Sequence, residues 1–233
     1  MEKSLKTPLD NFYKWEKKNP SKEFLIQPIH GIYNKYSWER VGKEARKMCS
    51  YIHSLNLPKK SKIAILSKNC AHWIIADLAI MMSGNISVPI YANVKGETAK
   101  YILEHSESKL LFVGKLEDPD WIEIKDNIPK EITKVDFGHY DLNSSFQNWD
   151  DIISDQNPIE NDPVIDIKDI ITIIYTSGTT GTPKGVVLTY KSVVIATKNL
   201  NHLVPLKDDD RFISYLPLSH IAERALVEQG GIS

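Results

Sequence analysis

The chain has 233 residues, enough for one large domain or two small ones. Its composition, 42% hydrophobic and 25% charged, is typical of a globular protein and excludes a disordered one. The 29 Lys and Arg residues are balanced by 30 Asp and Glu, so no basic field exists to hold a nucleic acid, and we expect no nucleic-acid role.

Three features bear on the cellular compartment. The only two cysteines, Cys49 and Cys70, lack the spacing of paired metal ligands, and we interpret them as buried thiols in a reducing compartment. Residues 1–10 carry charge throughout and lack the apolar core of a signal peptide. The most apolar run, 74–90, is interrupted by polar residues and proline and is shorter than the roughly 20 residues that cross a bilayer. We expect a cytoplasmic protein.

The N-terminal elements begin with a predicted β-hairpin. Residues 24–29 and a second extended run through Tyr36 flank His30-Gly31, a turn signal. Ser37 can cap the helix that follows, because apolar residues recur at helical spacing as far as about Leu55. Strand 62–66, helix 71–82 and strand 86–90 then make a β-α-β unit.

The same alternation continues with helix 97–105, strand 110–113, a weaker helix 121–127 and strand 132–137. Apolar strands separated by amphipathic helices predict an α/β fold, with parallel sheets covered by helices on both faces. We assign a β-α-β subdomain to about residues 60–137. Residues 138–169 are rich in Asp, Asn, Ser and Pro and predict a surface connection with a short helix at 147–153.

A β-branched strand, 170–175, leads into a loop with phosphate-binding chemistry, residues 176–185, TSGTTGTPKG. Glycines let backbone N–H groups converge on an anion, hydroxyls donate hydrogen bonds, and the lysine neutralises charge. The loop is not a Walker A motif, because only two residues separate Gly178 from Gly181 and Gly185 follows Lys184. The alternative is a flexible hairpin turn before the strand that resumes at 186–188 and the helix predicted at 192–200.

Several segments of the chain resemble one family. Residues 175–186, YTSGTTGTPKGV, closely resemble the signature loop of the adenylate-forming superfamily, which includes acyl-CoA synthetases, luciferases and peptide-synthetase adenylation domains. Residues 215–224, YLPLSHIAER, resemble the block that begins the acyl-pocket helix, and their His-x-x-Glu-Arg form resembles the long-chain branch. Upstream, residues 36–39 and 86–91 resemble the N-terminal subdomain of the family. The likeness covers nearly the whole chain.

This resemblance implies that the chain is the N-terminal part of an AMP-binding domain, with the phosphate-loop region at 170–233. Family members are much longer, so the fold would be truncated and the isolated fragment inactive. The implied reaction is ATP-dependent activation of a fatty acid to an acyl-adenylate and then, with coenzyme A, to acyl-CoA. ATP, Mg²⁺ and coenzyme A are the implied cofactors and co-substrates.

The resemblance also assigns site residues. The nucleotide would be contacted by Tyr175, Thr176, Ser177, Gly178, Thr179, Thr180, Gly181, Thr182, Pro183, Lys184, Gly185 and Val186. Lys184 would act in catalysis by holding the β and γ phosphates and stabilising the departing pyrophosphate, and a plain surface lysine is the alternative. Thr176, and after it Thr179, would lie near the metal, whose partner glutamate is expected beyond residue 233.

A second catalytic candidate, His220, would border the acyl and thiol tunnels by the same resemblance. Its alternative role is that of a capping or packing histidine. Glu223 and Arg224 follow on the same predicted helix, and the sequence leaves open whether they pair locally or with another segment.

Three questions stay open at this stage. The acid could be aryl, amino or short-chain, because most residues that shape the acyl pocket are expected downstream. The chain could instead be a non-catalytic nucleotide-binding remnant. Peripheral membrane contact of the full-length protein is also left open.

Overall fold

The computed structural model describes residues 5–142, 144–176, 181–203, 207 and 209–232. Helix α1 (Pro8–Lys18) starts at a capping box in which Thr7 and Asp10 exchange hydrogen bonds. The predicted hairpin is present as strands β1 (Glu23–Ile29) and β2 (Ile32–Ser37), which pair antiparallel.

Helix α2 (Trp38–Ser54) begins where the sequence predicts, and the Ser37 hydroxyl accepts from the backbone amide of Arg40 at its N-cap. Phe24 of β1 stacks on Trp38 with ring centroids 3.9 Å apart. The hairpin is thereby packed on the first turn of α2.

The central sheet has seven strands in the order β7-β6-β5-β3-β4-β8-β9. Its strands are β3 (Lys62–Leu66), β4 (Ile86–Ile90), β5 (Leu110–Val113), β6 (Thr133–Asp136), β7 (Gln147–Asn148), β8 (Ile170–Thr176) and β9 (Lys184–Thr189). The helices between and after them are α3 (Ala71–Met82), α4 (Gly96–His105), α5 (Asp118–Lys125), α6 (Trp149–Asp155) and α7 (Tyr190–Leu203). Strands β3 to β8 pair in parallel, which confirms the predicted α/β class.

The two faces of the sheet bury separate apolar layers. Ile63 and Ile65 of β3 point into a core shared with α2 and α3, whereas Ala64 and Leu66 point into a core shared with α4 and α5. This alternation follows from the two-residue period of a strand. All twelve residues of α3 are buried, which explains why residues 74–90 are the most apolar run of the chain. Among the described residues, no helix is long and apolar enough to cross a membrane.

Two features differ from the predicted pattern. Strand β9 runs antiparallel to β8, because a short loop rather than a crossover helix joins them. The segment 138–169 also contributes β7 to the sheet. The short helix predicted in it at 147–153 is present as α6, and Trp149 at the start of α6 is fully buried. Because β8 pairs with β4, one continuous sheet carries both the β-α-β elements and the loop region.

The last helical segment begins after His220 and is irregular. Ile221–Glu223 is α-helical, Arg224–Gln229 is a π-helix and Gly230–Ile232 is α-helical again. We call residues 221–232 the His220 helix. Such π-helical turns are rare and are often found at functional sites.

Candidate functional site

The predicted phosphate loop is the turn of the antiparallel hairpin formed by β8 and β9. Thr176, the last residue of β8, is the register partner of Lys184, the first residue of β9. Both residues are exposed and lie opposite each other where the hairpin opens. Within the described ranges, no acidic side chain forms an ion pair with Lys184. The ammonium can therefore neutralise an incoming anion without first breaking such a pair.

Four of the predicted nucleotide contacts, Ser177, Gly178, Thr179 and Thr180, lie outside the described residues, and their roles stay predictions. Gly181 has φ of 82°, a conformation that is strained for any residue with a side chain. Thr182 is exposed, Pro183 is half-buried and Val186 is 45% exposed. The described part of the loop thus presents its surface to solvent.

Tyr175 attaches the base of the hairpin to the sheet layer beneath it. Its ring is 4% exposed, and its hydroxyl lies 2.7 Å from Nδ1 of His105 at the end of α4. Burial raises the pKa of Tyr175, so the hydroxyl stays protonated. A Cβ on Gly185, its register partner, would lie 2.8 Å from the Ile173 side chain, so glycine permits the close approach of the two strands. These contacts fix the base of the loop on the sheet. The Tyr175 side chain itself is buried in the interior and is not directed to solvent.

The loop lies at the edge of the sheet where the parallel strands have their carboxyl ends. Ligands of parallel sheets bind at this edge. The chain runs from β3 to β4 on one side and then returns past β3 to β5 on the other, so the direction of connection reverses between β3 and β5. Ligands of such sheets bind in the crevice outside the carboxyl ends of the strands at this reversal. Since β8 is parallel to β4, its carboxyl end opens at the same edge.

A crevice of about 430 Å³ is present at that edge. It is lined by the residues that follow β3, β4 and β5 and by the segment before His220, including Ser67, Lys68, Asn69, Tyr91, Asn93, Lys115, Ser214 and Tyr215. Lys68 forms an ion pair of 2.6 Å with Glu117, whereas Lys115 is exposed. The crevice is largely polar, and its charged lining residues are Lys68, Lys115 and Asp120.

His220 takes the position of a helix cap. Its Nδ1 accepts a hydrogen bond of 3.2 Å from the backbone amide of Ala222, and its side chain is otherwise exposed. Nε2 is then the ring nitrogen that carries the proton. The capping role is therefore observed, and the catalytic role of His220 stays a prediction.

Glu223 and Arg224, whose partners the sequence left open, both have partners within the described chain. Glu223 is buried and accepts from the Ser214 hydroxyl and the Tyr215 amide, each at 2.9 Å. Arg224 is buried and contacts Asp77 of α3 at 2.5 Å and Glu228 at 3.1 Å. Arg224 thus joins the His220 helix to α3, and Glu223 joins it to the segment that precedes it.

The described residues do not build a magnesium site. Within them, no three His, Cys, Asp or Glu side chains are grouped so as to hold a metal ion. Thr176 offers one exposed hydroxyl, and Thr179 lies outside the described residues. Mg²⁺ needs octahedral oxygen coordination, supplied largely by substrate phosphates and water. The ligand roles of Thr176 and Thr179 stay predictions.

Sequence reasoning missed the crevice residues, above all Asn69. A usable signal was present, because Asn69 and Lys115 each follow an apolar strand within three residues of its end. The rule that ligands bind at the carboxyl ends of parallel strands could have singled them out. What it could not supply is their proximity to residues 214–219.

Comparisons with known proteins show which family the chain resembles in sequence and which proteins share its fold. The model of the family described as "AMP-binding enzyme" matches residues 12–231. Long chain acyl-CoA synthetase 5 of Arabidopsis thaliana is 30% identical over 218 residues, which cover 85% of this chain and 33% of the relative. The crotonobetaine/carnitine–CoA ligase of Salmonella typhimurium is 27% identical over 205 residues, which cover 84% of this chain and 39% of that protein.

Among solved structures, the o-succinylbenzoate CoA synthetase of Bacillus subtilis, in complex with its acyl-adenylate intermediate, has a similar fold. Its TM-score is 0.71 at 20% identity, and the match covers 96% of this chain and 53% of that one. The chain thus spans between a third and two fifths of the length of the two curated relatives.

Proposed function

Because the chain belongs to the AMP-binding enzyme family, we propose that the full-length protein uses ATP to convert a fatty acid to an acyl-adenylate and then, with coenzyme A, to acyl-CoA. The observation that carries this proposal is the β8–β9 hairpin, which presents Lys184 and Thr176 side by side at the carboxyl edge of a parallel sheet. An exposed cation at the mouth of a glycine- and hydroxyl-rich turn is suited to a polyphosphate.

The chemistry that this chain would supply is electrostatic. In the proposed reaction a carboxylate oxygen attacks the α-phosphorus of ATP, the bond to the β-phosphate bridging oxygen breaks, and pyrophosphate leaves. Lys184 would offset the negative charge that gathers on the departing group. A thiol would then displace AMP from the acyl carbon. The crevice beside the hairpin is the space into which we place the acid and the thiol.

A long-chain acid is our preferred substrate, supported by His220, Glu223 and Arg224 and by the 30% identity to a long chain acyl-CoA synthetase. A second candidate class has support as well, since a crotonobetaine/carnitine–CoA ligase matches a similar share of the chain at 27% identity.

We expect no acyl-CoA formation by the 233-residue chain alone, because it spans only 33% of the length of the long chain acyl-CoA synthetase. We also propose a cytoplasmic location, consistent with two buried, free cysteines, with peripheral membrane contact as the alternative.

The test is ATP–pyrophosphate exchange by the full-length protein, with palmitate, crotonobetaine and o-succinylbenzoate compared at equal concentration. We expect palmitate to support the fastest exchange, and addition of coenzyme A to yield palmitoyl-CoA. Faster exchange with either of the other acids would reassign the substrate. Binding of ATP without exchange for any acid would contradict an enzymatic function and favour a nucleotide-binding protein.

A further inference from the structure

The segment before His220 has little regular structure to hold it. Residues 209–219 form neither helix nor strand, and their apolar side chains are largely outside, with Ile213 at 85% and Tyr215 at 78% exposed. An irregular segment of this kind needs side-chain hydrogen bonds to keep one conformation. The structure shows where they come from.

One side chain, Asn69, binds this segment at three points. Its Nδ2 donates to the Ser214 hydroxyl at 2.7 Å and to the Leu216 carbonyl at 2.6 Å. Its Oδ1 accepts from the Leu218 amide at 2.9 Å. The whole carboxamide is therefore engaged with residues about 145 positions away in sequence, and the Leu218 side chain in this segment is buried.

A second attachment lies on α3 itself. Asp77 contacts Arg224 of the His220 helix, and both side chains are at most 2% exposed. The guanidinium also lies over the Trp73 ring at 5.6 Å. Asn69 lies two residues before α3, whereas Asp77 lies within that helix. Two separated attachments fix both the position and the direction of the segment that carries His220.

We propose that Asn69 is a positioning residue, which holds residues 214–218 against the start of α3 and so fixes His220, the residue that follows the crevice-lining Ser219. The Asp77–Arg224 pair is the second attachment. The inference rests on the proposed function, because the orientation of His220 matters to a reaction only if acid activation takes place in this crevice. Its structural part can be measured without any activity. Asn69 itself acts through the segment it holds.

The first experiment compares amide hydrogen exchange in the 233-residue chain and its Asn69 variants by NMR. Asn69→Leu removes all three hydrogen bonds at similar volume, so we expect exchange at Leu218 to rise at least tenfold. Asn69→Asp keeps the acceptor and loses both donors. The Leu218 amide should therefore stay protected from exchange, whereas amides near Leu216 should exchange faster. Asn93→Ala is the matched control, since it alters the same crevice with no hydrogen bond to this segment, and it should leave exchange unchanged.

Exchange in α2 reports whether a variant loosens the whole fold. If Leu218 is equally protected in the wild-type protein and in Asn69→Leu, the proposal is wrong. It is also overturned if Asn69→Leu accelerates exchange in α2 as much as at Leu218, because the effect is then global. Selective loss at Leu218, retained protection in Asn69→Asp and an unchanged α2 together support it.

The second experiment measures pyrophosphate exchange by the full-length protein. Asn69→Leu should raise KM for the acid at least tenfold with KM for ATP within twofold, because the phosphate hairpin is anchored elsewhere, through Tyr175 and His105. If KM for the acid and KM for ATP change by the same factor, Asn69 has no specific role in positioning groups that contact the acid. Failure of the wild-type protein to exchange with any acid would refute the proposed function, whereas the NMR result would still decide whether Asn69 holds the segment.

Discussion

Replacement of Glu228 tests which carboxyl group in the buried charged cluster of the His220 helix and α3 carries a proton. Asp77, Arg224 and Glu228 form one cluster, and none is more than 2% exposed. Two carboxyl groups face a single guanidinium, so full ionisation would leave an unbalanced negative charge in a dry interior. Burial, and secondarily the Asp77 charge, raises the pKa of Glu228 well above its ordinary value, although Arg224 opposes this. We infer that Glu228 is the member that holds a proton.

The perturbation is Glu228→Gln, which imitates the protonated acid in size and in hydrogen-bonding groups. An unfolded glutamate has a pKa near 4.3, so between that pH and the raised folded pKa only the folded state keeps the proton. Relative to the glutamine variant, the wild-type protein therefore loses about 1.4 kcal/mol of folding free energy for each unit by which pH rises through this window. The two should be alike near pH 4, and the variant should be the more stable one at pH 8.

Urea denaturation of the 233-residue chain between pH 4 and pH 8 measures this difference. Glu160→Gln is the control, because Glu160 is exposed and its removal should leave the pH dependence nearly unchanged. If wild type and Glu228→Gln run parallel across the whole range, Glu228 is ionised in the folded state. A variant that is less stable than wild type at pH 8 would likewise refute the inferred neutral acid.

Three further outcomes are expected. Lys184→Ala in the full-length protein should slow pyrophosphate exchange by about 10² to 10³-fold, as loss of a charge-stabilising donor does in other enzymes. The control variant Lys191→Ala should leave the rate unchanged. If Lys184→Ala exchanges as fast as wild type, Lys184 has no role in the reaction. Burial lowers the pKa of His72 to about 3, with the nearby His139 and Arg40 adding to the effect. Relative to His72→Gln, the wild type should therefore lose about 1.4 kcal/mol of folding free energy per pH unit as pH falls from about 6.5 toward 3. His72→Gln should flatten that slope in urea titrations, and an unchanged slope would contradict a buried neutral imidazole. Tyr175→Phe should cost about 1 kcal/mol by breaking the hydrogen bond to His105, and a stability equal to wild type would mean that this bond does not anchor the hairpin.

Local patterns were enough to predict most of the elements. The strands at 62–66, 86–90 and 110–113 have the predicted bounds, because each is a short apolar run closed by polar residues. Helix 71–82 also has its predicted bounds, and all of its residues are buried. The weaker helix near 121–127 instead begins at Asp118, since a proline at its start favours the first helical turn.

The site was predicted less completely than the fold. The loop at 176–185 could be recognised because its chemistry lies in consecutive residues, and Lys184 and Thr176 do lie together. A hairpin turn was predicted only as the alternative at this loop, because an apolar run has the same pattern in either direction; the structure shows that β9 returns antiparallel to β8. For His220 the sequence allowed a catalytic role or a capping role, and the residue type alone cannot distinguish them. The structure shows the capping contact.

The sequence by itself determined the alternation of strands and helices, the phosphate-loop chemistry and the family resemblance, because these depend on residues within a few positions of one another. Only the tertiary structure decided that Asn69 holds residues 214–218 and that Arg224 pairs with Asp77, contacts that join positions more than 140 residues apart. Periodicity records which face of an element is buried but not which element covers it. The order of the strands makes that choice, and it brings the end of β3, the start of α3 and the segment before His220 to one edge of the sheet.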